Sequence, residues 1–237
     1  MTILPPVGTL MDLVREGQER LDRTVADLTP ADVVEPSALP GWTRGHLLAH
    51  LSRNADALVN LLTWAKTGTR TPMYSSPEQR ATDIEAGAGR GLAEQQADLH
   101  DSARRFGETA ASLSNENWSA RVTSAQGREI PATEVPWMRV REVWIHLVDL
   151  RAGVGLDLLP PELAWALVRD VAGSMSSKVD FAAQLVAEGQ GTVTLGSPAP
   201  VATVTGEPHQ LAGWLTGRCG TEELRITGDV PELPRWL

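Results

Sequence analysis

The chain has 237 residues, 42% of them hydrophobic and 22% charged, with 21 basic against 30 acidic side chains and a formal net charge of −9. That length allows one large domain or two modest ones with a sizeable core. An acidic chain without a Lys/Arg-rich run lacks the cations that nucleic-acid binding needs, so DNA and RNA are not expected partners. No stretch reaches the roughly 18 uninterrupted apolar residues of a membrane span, and Met1 to Pro6 carries no basic start to a secretory signal. Cys219 is the single cysteine, so no internal disulfide forms. The expected setting is the cytoplasm, with a monomer as the working expectation.

In chain order, Leu10, Leu13, Val14, Leu21, Val25 and Leu28 keep helical spacing and predict a helix from Thr9 to Leu28. A turn-rich stretch from Pro36 to Trp42 leads to Thr43, a good N-cap, and predicts a long helix to about Lys66, before Gly68. A loop with Thr71, Pro72, Ser75, Ser76 and Pro77 follows. A third helix is expected from Gly91 to Leu113 and a fourth from Trp137 to Ala152, stopped near Gly153 and Gly155. Beyond them, Pro160 and Pro161 open a helix read from Glu162 to Ala187, ended by Gly189 to Gly191. The β-branched runs Thr192–Leu195 and Val201–Thr205 read as paired strands separated by Gly196, Pro198 and Pro200. A short helix from Pro208 to Gly217 and a strand from Glu223 to Ile226 complete an α+β unit. The domain boundary is placed between residues 153 and 160.

Two of these helices carry metal-capable side chains four residues apart, His46 with His50 and Glu142 with His146. Four residues along a helix return a side chain to nearly the same face, so each pair can point into one site. Two imidazoles and a carboxylate suit zinc, and also accept iron, cobalt or nickel; three protein ligands leave one position open for chemistry. The competing reading is a surface ion pair with a hydrogen-bonded core histidine. Leu47, Leu51 and Leu58 beside His50, and Val143, Ile145 and Leu147 around His146, favour the metal, because polar groups in apolar surroundings need a partner. Spacing does not choose between His46 and His50.

The segments Gly41-Trp-Thr-Arg-Gly-His-Leu-Leu-Ala-His, Thr71-Pro-Met-Tyr, Ala125-Gln-Gly-Arg and Trp137-Met-Arg-Val-Arg-Glu-Val-Trp-Ile-His-Leu-Val-Asp-Leu resemble the mycothiol-dependent maleylpyruvate isomerases. So does the tail, Gly228-Asp-Val-Pro-Glu-Leu-Pro-Arg-Trp-Leu. The resemblance covers essentially the whole chain, and the fourth-helix motif and the tail are its most specific parts. It implies a two-domain α+β protein. Residues 1–155 would form a DinB-like four-helix metal-binding domain, and 156–237 a smaller sterol-carrier-protein-like α/β domain. It assigns His50, Glu142 and His146 as zinc ligands and leaves His46 to helix packing or to orienting a ligand.

The activity so implied is conversion of maleylpyruvate to fumarylpyruvate in gentisate breakdown. Rotation about a double bond needs its π character removed; a thiolate that adds and later leaves does this, and mycothiol supplies it. A divalent cation ionises a thiol that is otherwise mostly protonated at pH 7. No protein cysteine is then required, and Cys219 beside Arg218 reads as a chance neighbour. The family pattern makes Arg218 the candidate for substrate carboxylate and enolate charge, which would put the second domain against the active site. Its bland alternative is to satisfy carbonyls at a helix C-terminus. Trp42, Trp137 and Trp144 read as packing, Arg139 and Arg141 as surface or ion-pair residues. Asp149, three residues past His146, could orient that ligand, and Tyr74, in the Thr71-Pro-Met-Tyr loop, could approach the site; neither is assigned a role, and the thiol-pocket residues are not identified. Two other functions fit less well: a mycothiol-dependent S-transferase, or a non-enzymatic protein binding a metal and an apolar ligand.

Overall fold

The computed structural model describes residues 4–197, 199–230 and 232–236. Pro198 of the break between the β-branched runs, Pro231 and Leu237 of the tail motif, and Met1–Ile3 at the start lie outside the described residues. The chain divides into two compact units, Pro5–Val154 and Gly155–Leu237.

The first unit is helical. Its elements are α1 (Val7–Ala26), α2 (Arg44–Thr67), α3 (Pro77–Ala88), α4 (Leu92–Ala111), a single turn α5 (Asn115–Trp118) and α6 (Val135–Asp149), with a hairpin of β1 (Arg121–Thr123) and β2 (Glu129–Pro131) before α6. Helix α2 packs on α3, α4 and α6, and α1 packs on α6 and α4. Leu21, Val25, Leu47, Leu48, Leu51, Leu99, Leu147 and Leu150 join these helices in one buried cluster. Each contributes about 1.5–3 kcal/mol by leaving water. Helix α2 begins where Thr43 predicts: the Thr43 Oγ1 accepts from the His46 backbone N–H, and Gly68 ends the helix in the left-handed conformation with φ 73°.

Two contacts fix α6. Arg44, at the start of α2, donates from Nε to Leu150 O at 2.7 Å and from Nη2 to Arg151 O at 3.0 Å, capping the end of α6. At the other contact, a Cβ on Gly17 would stand 2.6 Å from Trp144 Nε1, so α1 lies on α6 at a distance only glycine permits. The Trp144 Nε1–H donates to Leu13 O.

Helix α3 occupies the stretch between the loop ending at Pro77 and the helix expected from Gly91, to which the sequence reading assigns no element. Only Ile84 and Gly87 of it are buried, so it shows no apolar stripe. Its start signal is nonetheless present: Ser76 accepts from the Gln79 N–H as N-cap, and Pro77 takes the first helical position.

The second unit holds α7 (Pro161–Met175), β3 (Ala182–Ala187), β4 (Gly191–Gly196), β5 (Ala202–Thr205), α8 (Pro208–Thr216) and β6 (Arg225–Thr227). The helix read through Ala187 stops at Met175. Ser174 and Ser176 bond back to Val171 O and Ala172 O, and the Ser176 hydroxyl also accepts from the Gly196 N–H, diverting the chain into the sheet. Ala182, Ala183, Leu185 and Ala187 are buried in β3, an inner strand with no clean alternation, which is why it reads as helix. The sheet order is β4-β3-β5-β6, with β3 antiparallel to β4 and parallel to β5, and β5 antiparallel to β6. The two β-branched runs therefore do not pair with each other; β3 separates them. The glycines read as a helix stop form the β3–β4 turn, with Gly189 at φ 77°.

Candidate metal centre

Helix α2 presents His50, and α6 presents Glu142 and His146 from one face. The His50 Nε2 lies 2.9 Å from Glu142 Oε2 and 3.2 Å from His146 Nε2, and His146 Nε2 lies 3.2 Å from Glu142 Oε2. Bonds of about 2.0–2.1 Å from a tetrahedral ion would span ligand atoms roughly 3.3 Å apart. The three atoms therefore stand at nearly the spacing that a shared cation requires. Among the described residues this is the group of three or more metal-capable side chains whose ligand atoms converge.

The surroundings fit the same purpose. The His146 Nδ1 is 2.8 Å from Asp149 Oδ2, and Asp149 has no exposed surface. A carboxylate on the outer nitrogen fixes the ring and frees the inner nitrogen for a cation. Burial would lower the His146 pKa, but hydrogen bonds to Asp149 and Glu142 outweigh it and hold it at about 9. Burial pushes the His50 pKa down, against the pull of Glu142. Burial alone would raise Glu142, yet the two histidines, by charge and hydrogen bonding, hold its carboxyl well below the ordinary range.

His46 is not part of the cluster. Its Nδ1 is 2.7 Å from Thr43 Oγ1 and accepts from the Thr43 N–H at 3.2 Å, so the ring closes a capping box at the start of α2. Its Nε2 meets Glu85 at 3.2 Å. Of the two histidines between which spacing does not choose, the fold brings His50, and not His46, to Glu142 and His146. Trp42 packs against both rings, with centroids 5.4 Å from His50 and 6.4 Å from His46. Trp137 and Trp144 are buried packing residues.

Arg139 departs from the sequence reading, Tyr74 does approach the site, and Arg80 is absent from that reading. Arg139 is not a surface residue: it is wholly buried and donates to Leu51 O, Asn54 Oδ1 and Gln18 Oε1, tying α6 to α2 and α1. Burial pulls its pKa down to about 10. Tyr74 reaches the neighbourhood of Glu142; burial raises its phenol while Arg80 and Asn54 pull it back. Arg80, with no sequence signal at all, places Nη2 3.2 Å from His50 Nδ1.

The second unit carries the other candidates. Arg218 follows Gly217, the left-handed cap of α8, and donates from Nη1 to Thr216 O at 2.6 Å. Cys219 is exposed, and burial of its sulfur together with Glu223 and Glu222 raises its thiol pKa. That acidic setting is the reverse of what activates a cysteine.

Helices packed round a converging His–Glu–His cluster make a helical domain similar in fold to YfiT from Bacillus subtilis, described as a probable metal-dependent hydrolase with an unusual four-helix bundle topology. That likeness is one of fold: 14% identity, TM-score 0.52, covering 61% of this chain and 83% of that one. The particular family is shown by two further matches. The model of the mycothiol maleylpyruvate isomerase N-terminal domain matches residues 14–151. The crystal structure of the mycothiol-dependent maleylpyruvate isomerase is 34% identical with TM-score 0.89, and that of its histidine-to-alanine mutant 33% with TM-score 0.89, each covering 98% of both chains. This chain belongs to the mycothiol maleylpyruvate isomerase family. No curated protein sequence matches it.

Proposed function

We propose that this chain is a mycothiol-dependent maleylpyruvate isomerase, a cytoplasmic enzyme of gentisate breakdown that converts maleylpyruvate to fumarylpyruvate with zinc at His50, Glu142 and His146. The observation that carries this reading is the convergence of those three side chains in a chain matched along 98% of its length by that isomerase. The donor set, two nitrogens and one carboxylate oxygen, fits zinc, and all three donors come from one chain, so a monomer suffices for the metal. When bound, the cation supplies Lewis acidity that keeps the mycothiol thiol ionised, and that thiolate is the nucleophile for reversible addition to the substrate double bond.

The chain's own residues have the remaining tasks. Asp149 holds the His146 ring with its outer proton, leaving the inner nitrogen to ligate. Trp42 covers the His50 ring and restricts water there. Arg218 is proposed to pair with a substrate carboxylate and the developing enolate through its fork of donors. The first unit is read as a DinB-like bundle, which the YfiT likeness supports. The second is read as a sterol-carrier-like domain, supported by its mixed four-stranded sheet with α7 and α8 packed on it.

The test is maleylpyruvate isomerisation with catalytic mycothiol, comparing wild type with His50→Ala and measuring metal in both. Many turnovers per thiol, lost together with the metal in the mutant, is the expected result. Consumption of one thiol per substrate would make the protein a transferase instead, and a metal-loaded wild type that leaves maleylpyruvate unchanged would sink the reading.

A further inference from the structure

The His–Glu–His cluster lies between α2 and α6, and the first unit holds a second feature between α1 and α4, a cavity of about 730 Å³. Met11 and Val14 of α1, Ala103, Gly107 and Ala110 of α4, and Trp118 of α5 line it. The α4 wall is made of small residues, and a Cβ added at Gly107 would meet nothing within 4 Å. The seam is open because α4 lacks the side chains that would fill it. Protein interiors tolerate few voids larger than a water molecule, whereas an apolar hollow of this volume is the size of a small-molecule site.

One part of the wall is cationic. Arg139 of α6 lines the cavity beside Gln18, with no surface of its own exposed to solvent. Its guanidinium donates to Leu51 O, Asn54 Oδ1 and Gln18 Oε1, all of them neutral acceptors. Its Nε–H has no acceptor among the described residues. Asp22 stands on the same wall, but its Oδ1 accepts from the Gln18 amide at 2.8 Å, so it meets the guanidinium only through Gln18. At the mouth, Arg15 and Arg104 are exposed and already paired with Asp12 and Glu108. The deep guanidinium keeps its charge, and a buried charge without a counter-ion is costly; a carboxylate there offers both the missing acceptor and the missing charge.

We propose that the cavity between α1 and α4 is a binding site for a monocarboxylate with an apolar body. The body lies along the small residues of α4, and the carboxylate accepts from Arg139 at the Gln18 end. A chain of about eight carbons is within the capacity of such a pocket. The site is separate from the metal centre and does not depend on the isomerase reading.

Arg139 also ties α6 to α2 and α1, so the test varies the head group of the ligand and leaves that residue intact. Hexanoate, octanoate and 1-octanol are titrated calorimetrically into the full-length wild type, and octanoate also into Gly107→Leu and His50→Ala. Octanoate is expected to bind at one site, with affinity rising about threefold for each methylene added from hexanoate. The alcohol, which brings no charge to Arg139, should bind about tenfold more weakly or worse. Gly107→Leu fills the cavity from α4 and should weaken octanoate about tenfold or more, while a better helix former keeps its melting temperature at or above that of wild type. His50→Ala should bind octanoate as wild type does. Failure of wild type to bind octanoate, or equal affinity for the alcohol, overturns the proposal without any variant. Unchanged binding in a folded Gly107→Leu overturns it too, and loss of binding in His50→Ala would move the carboxylate to the metal centre and do the same.

Discussion

At the scale of single residues, the two histidines of α2 are separated by what their rings touch. His50→Ala removes one of the three proposed ligands, so metal content should fall to background. His46→Ala should keep its metal and lose about 1 kcal/mol of stability with the broken capping box, read from a thermal melt. Asp149→Asn should weaken metal affinity about 10- to 100-fold, because the outer carboxylate that fixes His146 becomes a neutral amide. The His146 proton sets the pH dependence. Its folded pKa is raised to about 9, so its contribution to the metal-free protein is fully present below the unfolded value near 6.5 and is lost as pH rises through 9. The metal competes with that proton. Apparent zinc affinity should therefore rise about tenfold per pH unit as pH climbs toward about 9 and level off above, in chelator competition. A flat profile would mean that His146 is neutral before metal binds.

At the scale of elements, the site depends on how closely α6 lies on its neighbours. Gly17→Ala would drive a methyl into Trp144 and Val143 of α6, one residue from Glu142. It should cost about 1–3 kcal/mol of stability, measured by denaturant unfolding, and weaken metal binding through displacement of α6. Legibility at this scale follows the strength of the local signal. Helix α2 was legible at both ends because Thr43 and Gly68 act through nearest neighbours. Helix α3 has its cap but no apolar stripe, and periodicity passes over it. Strand β3 is composed of Ala, Gln, Leu and Val, residues a helix also takes, and only its two neighbouring strands make it a strand.

At the scale of the whole molecule, the three proposed ligands belong to the first unit and Arg218 to the second. If both units serve one reaction, Arg218→Ala should lower kcat/KM about 10- to 100-fold while metal content stays at one equivalent. Steady-state kinetics beside metal analysis would read this, and unchanged kinetics would return Arg218 to its bond with Thr216 O. Among the described residues no helix is long and apolar enough to cross a membrane.

By itself the sequence determined what depends on neighbours along the chain. The four-residue spacing of Glu142 and His146 is helix geometry, the cap at Thr43 is a contact over three residues, and the motifs that carry the family resemblance are contiguous strings. Only the tertiary structure decided what depends on distant segments meeting. It brought His50, and not His46, across 92 residues to Glu142, buried Arg139 between α1 and α2, and brought Arg80 to the outer nitrogen of His50. The arginines show the reason most plainly. A long cationic side chain reads as surface by composition, because burying its charge is costly, and only acceptors from other helices, such as Leu51 O, Asn54 and Gln18, make burial tolerable.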